Sequence, residues 1–340
     1  MKRAENTIDY FQKVENFSPQ IYYHYTSLEA LFSIIKDKTF RMTSLRSSND
    51  SKELSYNVQQ FMADFKSVCE RETDKDTKSF FELLIKNVED NIIRFEKECK
   101  TRHTPYALCL SQKRDNLTHW DRYASSCSGV CIGFNVAALD VLYLRTNNYI
   151  FGMNLFDIEE TLYTEEALIQ SIRNKTFKYI DMLAKSTKNL PQIDPLTIIE
   201  RGGFVYMAAV YQNIMKFVKN SSFIDEGEIR VYHETESISN TRKLIKSMAK
   251  DLDSSKEINF EKMFDNLVSI LGIKEKQFMM SKNGIRSYHN LCLEKIWGSG
   301  LIPEIILGPA CVQNRKELQW FLSKNGLGDT KVSVSSVPIR

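Results

Sequence analysis

The stretch Ile21-Tyr22-Tyr23-His24-Tyr25-Thr26 is rich in aromatic residues, and this composition is typical of a β-strand. A helical pattern follows at once, because apolar residues recur at i, i+3, i+4 and i+7 over residues 28–35. Thr26 and Glu29 have the spacing of a capping box, with Thr26 as the N-cap residue. The segment therefore predicts a strand that runs directly into an amphipathic helix.

Short strands and helical blocks alternate along the rest of the chain. Strand patterns occur at residues 39–43, 106–110, 129–134, 226–232, 305–308 and 332–334. We predict an α+β fold in a single domain over residues 1–340, with a central mixed sheet of short strands. The sheet carries a large helical insertion, in two parts at about residues 54–100 and 160–220.

Composition limits the class of protein. Of the 340 residues, 42% are hydrophobic and 26% are charged, which is typical of a globular protein. No run of apolar residues is long enough to span a membrane, and residues 1–17 do not read as a signal peptide. The seven cysteines form no C-x-x-C motif, so neither a disulfide framework nor a zinc site is indicated. We expect a cytoplasmic protein that does not associate with membranes and, under the first of the three functions below, holds no metal.

The clearest candidate for chemistry is Glu226-x-Glu228-x-Arg230. If these residues lie on one strand, their spacing of two places all three side chains on the same face. An arginine can hold one carboxylate ionised while the second carboxylate acts on a substrate. The alternative is an edge strand that carries an ion pair facing solvent.

His24 is a candidate for nucleotide binding, because it stands at the end of a strand just before a helix N-terminus. Such a terminus favours anions, including pyrophosphate, and the histidine can bond a ribose hydroxyl or a phosphate. The alternative is a histidine that packs within an aromatic strand.

Other polar residues have two readings each. Asn49, Asp50 and Glu53 can form a metal or ribose site, but Asp50 and Glu53 also have capping-box spacing. Trp120 fits either the core or a surface on which a base or nicotinamide stacks. The polar residues 286–289, which follow Gly284, read as a loop near a site or simply as a loop.

The order of several short motifs is more specific than any one of them. They are His24-Tyr25-Thr26, Asn49-Asp50-x-x-Glu53, Cys109-Leu110-Ser111, Trp120-x-x-Tyr123-Ala124, Gly129-Val130-Cys131-Ile132-Gly133-Phe134, Glu226-x-Glu228-x-Arg230, Ile305-Ile306-Leu307-Gly308 and Ser335-x-Val337-Pro338-Ile339-Arg340. In this order the motifs resemble the bacterial family called domain of unknown function 2971, over about residues 22–340.

The pattern of that family is similar to ADP-ribosyltransferase-like folds, which implies that NAD is the substrate. Under this resemblance His24 binds the NAD ribose, and Tyr25 or Tyr123 stacks near nicotinamide. Glu228 polarises the ribose 2′-hydroxyl and stabilises the oxocarbenium-like transition state. Arg230 holds a phosphate or pairs with Glu226.

The predicted site is completed by polar and aromatic residues from the other motifs. Its catalytic residues are Glu228, Glu226 and His24, and its nucleotide-binding residues are His24, Tyr25, Thr26, Ser111, Trp120, Tyr123 and Arg230. Ser111 is the nearest counterpart of the Ser-Thr-Ser motif found in arginine-modifying transferases.

Three functions follow from these residues. The first is an NAD-consuming ADP-ribosyltransferase or NAD glycohydrolase, acting as an effector in antiphage defence or in a toxin system, with a protein or nucleic acid as acceptor or partner. The second is a nuclease or phosphohydrolase that binds Mg²⁺ through oxygen ligands from Asn49, Asp50, Glu53, Glu226 and Glu228. The third is a non-catalytic sensor that binds a nucleotide or a partner protein without turnover.

Overall fold

The computed structural model describes residues 20–48, 50, 53–99, 105–139, 157–187, 195–234, 277–281, 284–298 and 300–338. The strands are β1 Ile21–Thr26, β2 Thr39–Ser44, β3 Pro105–Ser111, β4 Val130–Asn135, β5 Asp157–Glu160, β6 Glu228–Glu234, β7 Gln277–Ser281, β8 Gly284–Cys292, β9 Glu304–Leu307 and β10 Lys331–Val334. The α-helices are α1 Leu28–Asp37, α2 Val58–Arg71, α3 Lys75–Asp90, α4 Ile92–Cys99, α5 Leu117–Tyr123, α6 Glu165–Thr187, α7 Pro195–Met215 and α8 Arg315–Lys324. Short 3-10 helices lie at Leu45–Ser47, Ser221–Glu226 and Glu294–Ile296.

The strands form one ten-stranded sheet. Its order is β10-β9-β4-β1-β3-β2-β8-β7, and β6 pairs with both β3 and β5. Most neighbours are antiparallel, but β10 is parallel to β9. The predicted α+β class with a mixed sheet of short strands is therefore confirmed.

The chain divides into two compact units. The sheet unit comprises residues 1–47, 105–159 and 226–340, and the helical unit comprises residues 48–104 and 160–225. The predicted helical stretches at about 54–100 and 160–220 fall in the helical unit. None of the described helices is both long enough and apolar enough to cross a bilayer.

One face of the sheet forms the core of the sheet unit. Buried apolar side chains from β2, β3, β4, β6 and β9 pack there with those of α1 and α8. Leu108 and Leu110 of β3 and Ile229 and Val231 of β6 belong to this cluster. Because side chains alternate along a strand, the residues between them point to the opposite face of the sheet.

That opposite face carries a row of residues which crosses five strands in register. Glu304 of β9 is opposite Gly133 of β4, and Gly133 is opposite Tyr23 of β1. Tyr23 is opposite Ser111 of β3, and Ser111 is opposite Glu228 of β6. Residues directly opposite each other in paired strands share a face, so this row brings Tyr23, Ser111 and Glu228 to the same side.

The helical unit has its own core. Phenylalanines from α2, α3 and α4 pack with Tyr211 of α7, and Phe61, Phe65, Phe81 and Phe95 are fully buried. This unit is thus stabilised by aromatic packing between helices rather than by strand pairing.

Three local predictions were wrong. The N-cap of α1 is Ser27, whose side chain accepts a hydrogen bond from the backbone N–H of Ala30, and Thr26 is the last residue of β1. Helix α2 begins at Val58 behind a capping box of Asn57 and Gln60, so Asp50 and Glu53 cap no helix there. Residues 286–289 lie in strand β8 and not in a loop.

Candidate functional site

Glu226 and Glu228 lie on different elements, contrary to the sequence prediction. Glu226 ends the 3-10 helix Ser221–Glu226, and β6 begins at Glu228. Gly227 between them has a φ of 50°, in the left-handed region that glycine adopts without steric cost. The chain therefore turns at Gly227, and strand alternation does not place the two carboxylates together.

Glu228 forms a two-point ion pair with Arg230 on the same face of β6. Arg230 Nε donates to Glu228 Oε1 at 3.0 Å, and Nη2 donates to Oε2 at 3.3 Å. The Arg230 side chain is only 1% exposed and the Glu228 side chain 5% exposed. Removing two charges from water costs on the order of several kcal/mol per ion, and the attraction between the charges offsets this cost only if their geometry is good. The two-point contact meets that condition.

Glu226 is buried as well, and its described carboxylate partners come from α5. Tyr123 Oη donates a hydrogen bond to Glu226 Oε1 at 2.5 Å. Arg122 Nη1 lies 3.9 Å from the same oxygen, but the Arg122 side chain is largely exposed, which weakens its effect on the carboxylate. A neutral phenol is thus the closest described group that orients the Glu226 carboxylate.

The backbone at Glu226 is held from two sides. Ser111 Oγ donates to the carbonyl oxygen of Glu226 at 2.7 Å and accepts from the backbone N–H of Lys113 at 3.1 Å. His119 Nε2 lies 3.1 Å from the same carbonyl oxygen. Ser111 therefore acts on the turn that carries Glu226.

His119 was not selected from the sequence, although a signal was present. It is buried and precedes Tyr123 by four residues, so both lie on one face of α5. The structure thus brings together Ser111, His119, Tyr123 and Glu226, and β3–β6 pairing sets Glu228 opposite Ser111.

His24 lies away from this group. Tyr23 faces Ser111, so His24, as the next residue in β1, points to the other face of the sheet. Its ring packs edge-on against Phe40 of the core at 5.4 Å, and Nδ1 lies 3.1 Å from the carbonyl oxygen of Cys109. Burial lowers the pKa of His24, and the contact with Cys109 opposes that change. The structure does not bring His24 to Glu228.

Tyr25 and Trp120 are used in packing. Tyr25 Oη donates to the carbonyl oxygen of Lys113 at 2.7 Å and accepts from the N–H of Asn116 at 3.0 Å. Trp120 is fully buried, and its Nε1 donates to Asp115 Oδ1 at 2.6 Å. Because both rings are buried and their polar atoms are hydrogen-bonded, neither presents an open face on which a base or nicotinamide could stack. Trp120 is a core residue, which is one of the two alternatives that its sequence position allowed.

At the far end of the row, Glu304 is tied to two residues that sequence reasoning did not select. Arg114 donates to both Glu304 carboxylate oxygens, at 2.9 and 2.7 Å, and Tyr23 Oη donates to Oε1 at 3.2 Å. These bonds lower the pKa of Glu304, and the hydrogen bond from Arg114 is the largest cause. The pKa of Tyr23 is raised to about 12, mainly by burial and then by the charge of Glu304. Gly133 leaves room for this arrangement, because a Cβ there would lie 2.8 Å from Glu304 Cγ.

The residues predicted as Mg²⁺ ligands are divided between the two units of the chain. Asn49 lies outside the described residues, and Asp50 and Glu53 belong to the helical unit, whereas Glu226 and Glu228 belong to the sheet unit. Glu53 Oε2 accepts a hydrogen bond from Ser48 Oγ at 2.9 Å. Within the part of the chain that the structure describes, no three histidine, cysteine, aspartate or glutamate side chains form a group suited to a metal ion.

Comparison with known proteins bears on the family. Residues 119–231 match the model of a family described as "Protein of unknown function (DUF2971)". The predicted resemblance to this family is therefore confirmed over residues 119–231. The DUF2971 match begins at His119 and ends just after Arg230, so it contains Tyr123, Glu226 and Glu228 as well. No curated protein and no solved structure matches the chain.

Proposed function

We propose that this chain is an NAD-consuming enzyme, either an ADP-ribosyltransferase or an NAD glycohydrolase. The observation that carries the proposal is the pair of buried carboxylates on either side of Gly227. Glu226 is 7% exposed and Glu228 is 4% exposed, and each is oriented by a side chain of the sheet unit. Buried charge of this kind is costly to maintain, and it is concentrated where enzymes stabilise developing charge.

Such a pair suits the cleavage of the glycosidic bond of NAD. The bond between ribose C1′ and the nicotinamide nitrogen breaks, and its electron pair leaves with nicotinamide. The ribose then carries positive charge as an oxocarbenium ion, which a carboxylate fixed beforehand stabilises without reorganisation. Water or an acceptor side chain attacks C1′ and releases a proton, which completes hydrolysis or ADP-ribosyl transfer.

The contacts favour a division of labour that reverses the roles predicted from the sequence. The guanidinium of Arg230 offsets the charge of Glu228 at two points, so Glu228 is less able to stabilise another cation. Among the described contacts, the Glu226 carboxylate accepts a hydrogen bond from the phenol of Tyr123 and has the exposed guanidinium of Arg122 at 3.9 Å, and neither contact is a two-point ion pair. In our proposal Glu226 faces the oxocarbenium ion, and the Glu228–Arg230 pair fixes the start of β6.

Nicotinamide release from NAD, measured with purified protein in the absence of added metal, tests this proposal. We expect Glu226→Gln to reduce the rate about 100-fold or more, as removal of one preorganised electrostatic contact does in other enzymes. Glu72→Gln is the matched control. Glu72 is buried like Glu226 and is paired with an arginine like Glu228, since Arg173 lies 2.8 Å from its carboxylate, but it belongs to the helical unit. It should leave the rate unchanged.

Other outcomes would point to the other candidate functions. Wild-type protein that is folded, binds NAD and releases no nicotinamide would favour the sensor. Phosphodiester cleavage that EDTA abolishes would favour the metal-dependent hydrolase. Release that survives both Glu226→Gln and Glu228→Gln would show that the carboxylates on either side of Gly227 are not the catalytic groups.

A further inference from the structure

The ring of His119 lies between two hydrogen-bond acceptors. Nδ1 is 2.9 Å from Asn116 Oδ1, and Nε2 is 3.1 Å from the carbonyl oxygen of Glu226. The ring thus joins the residue that caps α5 to the turn that presents the Glu226 carboxylate. The two contacts are made by different ring nitrogens and by different elements of the sheet unit.

Both partners are fixed as acceptors. The Asn116 side-chain oxygen also accepts the backbone N–H of His119 at 3.3 Å, as the N-cap of α5. Exchanging the oxygen and nitrogen of that amide would set an NH₂ group against this N–H donor. The Glu226 partner is a backbone carbonyl, which can only accept, and it has two lone pairs, of which Ser111 Oγ uses one.

A neutral imidazole carries one N–H and can satisfy only one of these acceptors, whereas an imidazolium donates from both nitrogens. We propose that His119 is a positioning residue which, as an imidazolium, links Asn116 to the Glu226 backbone and thereby fixes the Glu226 carboxylate. The protonation-dependent link stands on the two contacts alone, and its effect on turnover rests on the proposed function.

Several groups around His119 decide when it is protonated. Burial is the largest influence and lowers the pKa of His119, while the hydrogen bond to Glu226 and the charge of Glu226 oppose it. Lys113 and Arg122 lower the pKa further. The other rings against it are those of Tyr25 and Tyr123, at 4.9 and 5.9 Å, which are neutral in this range.

The direction of the pH effect follows from these influences. The pKa of His119 lies below its ordinary value, so the doubly bonded form is populated on the acid side of the usual histidine range. As the pH rises through that pKa, one of the two bonds is lost and the turn at Gly227 is held less firmly.

Nitrogen-15 NMR of the histidine rings, from pH 8 down to the lowest pH at which the chain stays folded, tests the link directly in the whole chain. We expect the His119 ring, assigned by its loss in His119→Phe, to carry protons on both nitrogens at the acid end. The amide signals of Gly227 and Gln112 should shift with the same midpoint, because the Gln112 N–H donates to the Gly227 carbonyl at 2.9 Å. A ring that keeps a single proton throughout, or amides that do not follow it, would overturn the link.

Nicotinamide release tests the positioning role. His119→Phe keeps a ring of similar size and removes both bonds, and it should lower kcat roughly tenfold with little change in KM, an effect of the size of one hydrogen bond. His119→Gln keeps one uncharged amide donor and should recover part of the rate without the histidine-dependent pH profile. Thermal unfolding of both variants confirms that they are folded.

The two experiments fail in different ways. If wild-type protein does not cleave NAD, the proposed function is wrong, but the NMR titration still decides whether His119 links Asn116 to Glu226. If wild-type protein cleaves NAD and both variants match it in kcat and pH profile, the positioning role is wrong while the proposed function stands.

Discussion

Each unit of the molecule holds a buried glutamate that is paired with an arginine, and the two pairs differ in purpose. In the helical unit Glu72 accepts hydrogen bonds from the backbone N–H groups of Thr73 and Asp74, so it holds the turn between α2 and α3, and Arg173 is half exposed. In the sheet unit Glu228 and Arg230 stand two residues apart on one strand and are both buried. The first pair is explained by local structure. The second removes both charges from water at the start of β6, next to the turn that carries Glu226, and this difference makes the sheet unit the better place to look for function.

The largest test of this comparison is to remove each arginine. Arg230→Met leaves the Glu228 carboxylate buried opposite an apolar side chain, and we expect a loss of about 3–5 kcal/mol in the free energy of unfolding. Arg173→Met should cost about 1 kcal/mol or less, because Glu72 keeps its backbone bonds and the arginine is partly solvated. Urea unfolding of the two variants measures both values. Equal losses would mean that the two pairs do not differ in the way described.

A second test compares a glycine from each unit. A Cβ at Gly129 would lie 2.2 Å from the carbonyl oxygen of Thr26, which is backbone and cannot move aside. We expect Gly129→Ala to destabilise the protein by about 3 kcal/mol. At Gly203 in α7 the nearest atoms are side-chain atoms of Asn87 and Leu84 at 3.1 Å, and alanine gains about 1 kcal/mol in helix propensity.

Gly203→Ala should therefore change stability by less than about 1 kcal/mol in either direction. The midpoints of thermal unfolding, measured side by side, check the order of the two variants. A Gly203→Ala variant that is as unstable as Gly129→Ala would show that the side chains around Gly203 cannot move aside for an added Cβ.

The smallest effect is a difference in pH dependence. Burial lowers the pKa values of His24 and His119 in the sheet unit, so the folded state binds fewer protons than the unfolded state. The sheet unit should lose stability as the pH falls below the ordinary histidine pKa of about 6.5. In the helical unit burial raises the pKa of Asp64, although a hydrogen bond from Tyr56 opposes it.

Asp64 has the opposite sign. Its contribution is present below its unfolded pKa of about 3.9 and is lost as the pH rises through the higher folded value. Protection factors from amide hydrogen exchange, which remove the intrinsic pH dependence of the exchange rate, check both directions when they are followed separately in α2 and in β3 from pH 7 to about pH 4. Protection that falls equally in the two units on acidification would contradict the assignment.

The sequence was informative wherever local periodicity decides the structure. The apolar repeat predicted α1, and the aromatic run predicted β1. It was less informative where the outcome depends on neighbouring strands. Nothing in residues 21–26 shows that Tyr23 and not His24 faces Ser111, because that depends on the register between β1 and β3. In the same way, the turn at Gly227 that separates Glu226 from β6, with its positive φ, is determined by tertiary structure.

The candidate site was partly predictable for the same reason. Glu226, Glu228 and Arg230 were chosen from residue type and spacing, and Ser111 and Tyr123 were chosen from the resemblance to ADP-ribosyltransferase-like folds. Ser111 lies on β3, Tyr123 on α5, and Glu228 and Arg230 on β6. Tyr25 and Trp120 were chosen for their rings, yet burial of those rings is determined by packing across the sheet. His119 was passed over because a histidine between two acceptors is recognisable only once Asn116 and Glu226 are in place.

The bond between Tyr123 and Glu226 joins residues 103 positions apart, and the second half of the helical unit lies between them in the chain. Closing such a loop costs entropy that grows only with the logarithm of its length, so doubling the insert would add about 0.6 kcal/mol. The two ends of the site therefore tolerate large changes in what separates them. Residues 160–225 are thus a folded insert whose length can change at small entropic cost to the contact between Tyr123 and Glu226.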